Sequence, residues 1–151
     1  MLSSIDVPIK AMMFPPPEIP FSNELQYNFE WICDLKVDTQ QKIAFGITTV
    51  YITPKDSKVR LANLQTACGF QFEDFESVFA QDESGVFNVP VEVEIILKTA
   101  SYSTTRGILY MELKGTYLHQ NLLPLVNLAD MILNDRKKAE KSKSVQIKEK
   151  Q

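Results

Sequence analysis

The stretch YNFEWICDLKVD, residues 27–38, decides the fold. Its odd positions are Tyr27, Phe29, Trp31, Cys33, Leu35 and Val37, and its even positions are Asn28, Glu30, Ile32, Asp34, Lys36 and Asp38. Successive side chains of a strand point to opposite faces, so this period of two gives one apolar face and one mostly charged face. Rotation by about 100° per residue in a helix would scatter both sets around the axis. The segment reads as a strand with one side on a core and the other toward water.

After the polar turn Thr39, Gln40, Gln41, a second run places Ile43, Phe45, Ile47, Thr49 and Tyr51 on one side and Ala44, Thr48, Val50 and Ile52 on the other. Both faces are fairly apolar, as suits a central strand. Pro54, Lys55, Asp56 and Ser57 supply the next turn. Ala62, Leu64, Thr66, Cys68, Phe70 and Phe72 then alternate with Asn63, Gln65, Ala67, Gly69, Gln71 and Glu73. These three runs read as an antiparallel meander. Upstream, Ile5 to Phe14 is a short apolar run closed by Pro15, Pro16 and Pro17, which cannot continue a hydrogen-bonded ladder. It reads as an edge strand followed by an extended crossover.

Past an acidic stretch containing Gly85 the period changes. Tyr102, Arg106, Leu109, Tyr110 and Leu113 recur at three- and four-residue spacing, which predicts a helix over 101–114 with Gly115 just past its end. Val91 to Lys98 is ambiguous: Val91, Val93 and Ile95 alternate with Glu92 and Glu94 as in a strand, while Pro90 suits a helix start. Leu122 to Val126 is an apolar extended link, and Asn127 caps a short helix ending at Leu133. From Arg136 onward the chain reads as a solvated, partly disordered tail.

With 151 residues and 44% hydrophobic side chains the chain supports one domain, set at residues 1–135, with 136–151 as a basic tail. Residues 1–135 carry 9 basic and 17 acidic side chains, whereas 136–151 carry 7 and 2. An acidic body repels phosphates, so no nucleic-acid partner is expected. Met1 to Pro20 lacks a basic region followed by an apolar run, and no stretch approaches 18 consecutive apolar residues. The reading is a cytoplasmic protein without stable membrane insertion. Cys33 and Cys68 sit within the strand alternation and read as reduced core thiols.

The usual catalytic patterns are absent from the sequence. His119 has no Cys, Asp or Glu at metal-ligand spacing, and no glycine-rich phosphate loop, GxSxG elbow or HExxH pair occurs. Glu92 with Glu94, and Glu73, Asp74 and Glu76, read as solvated faces rather than acid–base pairs. No catalytic residue, metal or cofactor is expected, and binding becomes the default over turnover.

Two anchors give the chain a resemblance to the SecB family of export chaperones. At the C-terminal end, the helix ending at Gly115 and Thr116 is followed by Pro124, Val126, Asn127 and an apolar helical turn. At the N-terminal end, Ile5, Ile9, Phe14 and Pro15 are similar to the family's first strand, which runs through an aromatic into proline. The resemblance implies an α+β fold: a four-stranded antiparallel Greek-key sheet with one long and one short C-terminal helix, assembled as a homotetramer, a dimer of dimers. It also turns Val91 to Lys98 into the start of the long helix.

The implied activity is that of a holdase, binding unfolded polypeptides or preproteins in an apolar groove for protein export. Candidate groove residues are Met12, Phe14, Tyr27, Phe29, Trp31, Phe45, Phe70 and Phe72, rigid aromatics with adaptable methionine beside them. Ser101, Thr104, Thr105, Gly107 and Ile108 are candidate oligomer contacts, because small residues allow close approach. Exporting members meet the translocation ATPase SecA on an acidic sheet face, which Glu30, Asp34 and Asp38 could supply. The basic tail departs from that pattern. It leaves open a chaperone dedicated to one client, such as an antitoxin, or a non-chaperone adaptor on the same fold.

Overall fold

The computed structural model describes residues 2–13, 26–55, 58–83 and 85–148. In chain order the elements are β1 (Leu2–Met13), β2 (Tyr27–Asp38), β3 (Ile43–Pro54), β4 (Ala62–Phe72), the single turn α1 (Phe75–Val78), β5 (Ala80–Gln81), β6 (Phe87–Asn88), α2 (Val91–Leu113) and α3 (Leu128–Lys148). The four long strands form one antiparallel sheet in the order β1-β4-β3-β2, and β5 pairs with β6 in a small ribbon.

The alternation in β2 settles which face is covered. Trp31 lies opposite Val50 and Val50 opposite Leu64; Cys33 lies opposite Thr48 and Thr48 opposite Thr66. These rows carry the fully buried residues Val50, Leu64, Thr48 and Thr66, so this is the face on which α2 packs. Glu30, Ile32, Asp34 and Lys36 are exposed on the other face. The β2–β3 turn is held by Asp38, whose Oδ1 accepts hydrogen bonds from the Gln40 and Gln41 amides, each at 2.9 Å. Lys42 then adopts a left-handed φ of 55°.

Two apolar clusters fill the space between sheet and helices. One joins Val50, Ile52 and Leu64 to Tyr102, Leu109, Leu113, Leu123, Leu128 and Ile132. The other joins Ala44, Cys68 and Phe70 to Phe75, Phe79 and Leu97. Helix α2 straddles both: Val91 and Ile95 pack on the first, and Val93, Leu97 and Ala100 on the second. Burial on both flanks is why its first turns imitate the alternation of a strand. Gly115, at φ 81°, lies just past the helix end, and the Thr116 amide returns to the Leu113 carbonyl at 2.9 Å.

The second C-terminal helix corrects the sequence reading. It is not short but runs 21 residues, through the segment expected to be a disordered tail. Asn127 does cap it, accepting from the Asp130 amide at 3.3 Å while its own amide donates to Asp130 Oδ2 at 2.7 Å. What carries the helix past Leu133 is the run of good helix formers Arg136, Lys137, Lys138, Ala139, Glu140 and Lys141, together with the anchoring of Arg136 on the body. A boundary at residue 135 therefore cuts through a helix.

Candidate apolar groove between β2 and α3

A groove of about 360 Å³ opens between the edge strand β2 and helix α3. Phe29, Trp31, Ile32 and Cys33 of β2 form one side, Leu128, Met131, Ile132 and Asp135 of α3 the other, and Lys98 of α2 closes one end. The α3 residues fall at i, i+3, i+4 and i+7, the spacing that puts four side chains on one helical stripe.

Trp31 is braced from behind by Tyr102 of α2, with ring centroids 4.8 Å apart and planes tilted by 59°. Tyr102 is fixed in turn by its hydroxyl, which donates to the Pro124 carbonyl at 2.8 Å, and Arg106 Nε donates to the Leu123 carbonyl at 2.8 Å. The link between α2 and α3 is thereby pinned by two α2 side chains, and the aromatic floor is held in one orientation. Met131, 44% exposed, adds an apolar contact on the α3 side, while Ile32 borders the groove at the sheet edge with its side chain on the outer face, and Lys98 and Asp135 make the lining mixed.

Below the aromatics, the Cys33 thiol accepts from Thr48 Oγ1 at 3.3 Å and lies 3.8 Å from the Lys98 carbonyl. Burial raises its pKa, outweighing the Thr48 hydrogen bond and the Lys98 charge, so it stays a neutral thiol rather than a nucleophile. Both cysteines are free and buried, as read from the sequence.

At the groove's Lys98 end lies a charged cluster. Glu94 Oε1 meets Lys98 Nζ at 2.8 Å, and Glu94 Oε2 accepts from Arg136 Nη2 at 2.5 Å and Nε at 3.1 Å. Burial is the largest single influence on the Glu94 carboxyl and pushes its pKa up, but the hydrogen bonds and charges of Lys98 and Arg136 together prevail and hold it below the ordinary value. The reading of Glu94 as a solvated carboxylate is thus corrected; its side chain is 18% exposed.

The sequence candidates separate on this geometry. Phe29 and Trp31 line the groove, and Tyr27 packs beside them on the first cluster. Phe70 is fully buried in the second cluster, and Phe72 packs edge-on against Phe79 at 5.2 Å, so neither reaches the groove. Phe45 projects from the opposite face of the sheet, paired in register with Lys36 and Gly69. Met12 pairs with Leu64 on β1, three strands from Trp31 and about 14 Å away at the usual strand spacing. Phe14 lies outside the described residues.

Among the oligomer candidates, Ser101 and Thr105 are fully buried against the sheet, Thr104 and Ile108 are half-buried, and Gly107 is exposed. Ser101 and Thr105 are corrected to intrachain contacts: small residues there let α2 approach β3 and β4. Of the acidic candidates, Glu30 and Asp34 stand exposed on the sheet face away from the helices, while Asp38 serves the β2–β3 turn. The α3 wall was missed, although the helical spacing of Leu128, Met131, Ile132 and Asp135 would have found it. Among the described residues no group of three or more His, Cys, Asp or Glu is placed to hold a metal ion, and no helix is long and apolar enough to cross a membrane.

No family model matches the chain, and no curated protein sequence does. Among solved structures it is similar to the Mycobacterium tuberculosis SecB-like chaperone in complex with a ChAD peptide from the HigA1 antitoxin. The two share 13% sequence identity at a TM-score of 0.52, over 83% of this chain and 88% of that one. With its antiparallel sheet, its C-terminal helices and the two sequence anchors at either end, the chain has a divergent SecB-like fold.

Proposed function

We propose that the protein is a SecB-like holdase whose client-binding surface is the groove between β2 and α3. The observation that carries this is the aromatic floor of Phe29 and Trp31, braced by Tyr102 and faced by Leu128, Met131 and Ile132 across an open groove. A polypeptide that has not folded offers apolar side chains at irregular intervals, and shallow contacts worth about 25 cal/mol per Å² suit sequence-tolerant binding. Nothing in this mode requires turnover, so the activity is binding and not catalysis. The four long strands make the sheet of the family's Greek-key type, with the chain working in the cytoplasm as a dimer of dimers. The structurally similar chaperone was solved with an antitoxin peptide, which supports a polypeptide as the occupant of the groove. The basic segment after residue 135 departs from the exporting members, which favours client binding without a SecA contact.

Trp31 is the only tryptophan, so its fluorescence reports on the groove directly. Adding reduced, carboxymethylated α-lactalbumin, a permanently unfolded chain, should shift the emission and shield Trp31 from an aqueous quencher. The protein should also suppress aggregation of several unrelated unfolded polypeptides near one-to-one stoichiometry. An unchanged Trp31 signal with no suppression of any client would replace the holdase by an adaptor on the same fold.

A further inference from the structure

We infer that Arg136 is a positioning residue of the groove: by gripping Glu94 and the Val89 carbonyl it fixes α3 at its distance from β2, and so sets how readily a polypeptide enters and leaves. This rests on the polypeptide-binding reading of the groove. Helix α3 is tied to the body at its start, through the buried side chains of Leu128 and Ile132. Past Ile132 no described side chain of α3 is buried, yet the groove wall continues to Asp135. Arg136 is the next residue, one helical step of about 100° from Asp135, so one side chain can face the groove while the other faces α2.

The grip joins three parts of the chain. Arg136 Nη2 donates to the Val89 carbonyl at 3.0 Å and to Glu94 Oε2 at 2.5 Å, and Nε adds a second bond to the same oxygen at 3.1 Å. The other oxygen of Glu94 is held by Lys98, which closes the end of the groove. One carboxylate therefore ties the α3 wall to the α2 end wall. A planar guanidinium with fixed donors can serve both the carboxylate and the carbonyl, whereas a lysine ammonium is a point charge on a mobile stem. Because the Arg136 side chain is 42% exposed, salt reaches the ion pair and can weaken it.

The test compares full-length wild type with Arg136→Gln, Arg136→Lys and Glu94→Gln. Amide hydrogen exchange across 128–138 should quicken about tenfold in Arg136→Gln and Glu94→Gln, with Arg136→Lys between, while β3 and β4 amides stay protected. Carboxymethylated α-lactalbumin should dissociate about tenfold faster from the two glutamine variants. Added salt should quicken α3 exchange in wild type and leave Arg136→Gln unchanged. Unaltered α3 exchange in both glutamine variants overturns the inference, whatever the client does. Faster exchange with unaltered client kinetics also overturns it, because the grip would then hold the helix without governing the groove. Faster exchange when wild type itself binds no unfolded chain overturns the holdase reading instead. Should Arg136→Gln unfold, Glu94→Gln and the salt series on wild type decide the matter.

Discussion

At Gly46 the sheet and α2 come too close for any side chain: a β-carbon there would lie 1.9 Å from Ser101 Oγ and 2.9 Å from Ser101 Cβ. The hydroxyl can rotate away but the Cβ cannot, so Gly46→Ala should lower stability by about 1–3 kcal/mol in urea unfolding, and Ser101→Gly should restore part of it. One turn along α2, Thr66 Oγ1 meets Thr105 Oγ1 at 2.6 Å, and Thr105 donates to the Ser101 carbonyl at 2.7 Å. Thr105→Val takes from the buried Thr66 hydroxyl the bond it makes here, an expected cost of about 1–3 kcal/mol, whereas Thr66→Val leaves Thr105 its Ser101 acceptor and should cost about 1 kcal/mol. Urea midpoints of the two variants check that order. The smallness of Ser101 and Thr105 was legible in the sequence, but the neighbour demanding it was not. A small residue signals close approach without saying whether the approaching surface belongs to the same chain.

Among the elements, β2, β3 and β4 were readable nearly to the residue, because period-two alternation bounded by polar turns leaves little choice of register, even in β4, where Thr66 to Phe70 are buried on both faces. The long helix was legible over 101–114 from its spacing, but its start was harder for a specific reason: flanked by two clusters, it places apolar residues on both sides of its first turns, and only Pro90 and the family resemblance identified those turns as helix. Helix α3 was read too short because its charged second half has no burial pattern. Its attachment also makes a pH prediction. The folded pKa of Glu94 is depressed, so its contribution to stability is present above the ordinary carboxylate range and is lost as pH falls through the lower folded value. Between about pH 5 and pH 3 the wild type should lose protection of α3 amides more steeply than Glu94→Gln, which has no carboxylate to protonate. Identical pH profiles would show that Glu94 does not couple protonation to the helix. Asn127→Ala acts at the other end and should cost about 1 kcal/mol, read as faster exchange in the first turn of α3.

For the whole molecule, alternation identified the two faces of the sheet but could not reveal which would be covered. That is why Phe45, Phe70 and Trp31 looked alike in sequence and now lie on the outer face, in the core and in the groove. The same logic bears on assembly. The outward side of α2 exposes Ile96 at 57% and Met111 at 62%, with the small residues Ser103 and Gly107 between them. The proposed tetramer would cover it, giving a species of four times 17.2 kDa in sedimentation. Gly107→Arg separates fold from assembly. Nothing lies within 4 Å of the β-carbon it would add, and replacing a mid-helix glycine should favour the helix by up to about 1 kcal/mol. An arginine at that point would nevertheless hold a second copy of α2 away. The expected result is a monomer or dimer that unfolds no earlier in urea than the wild-type chain at matched low concentration, whereas a variant that still sediments as a tetramer would move the interface off this face of α2.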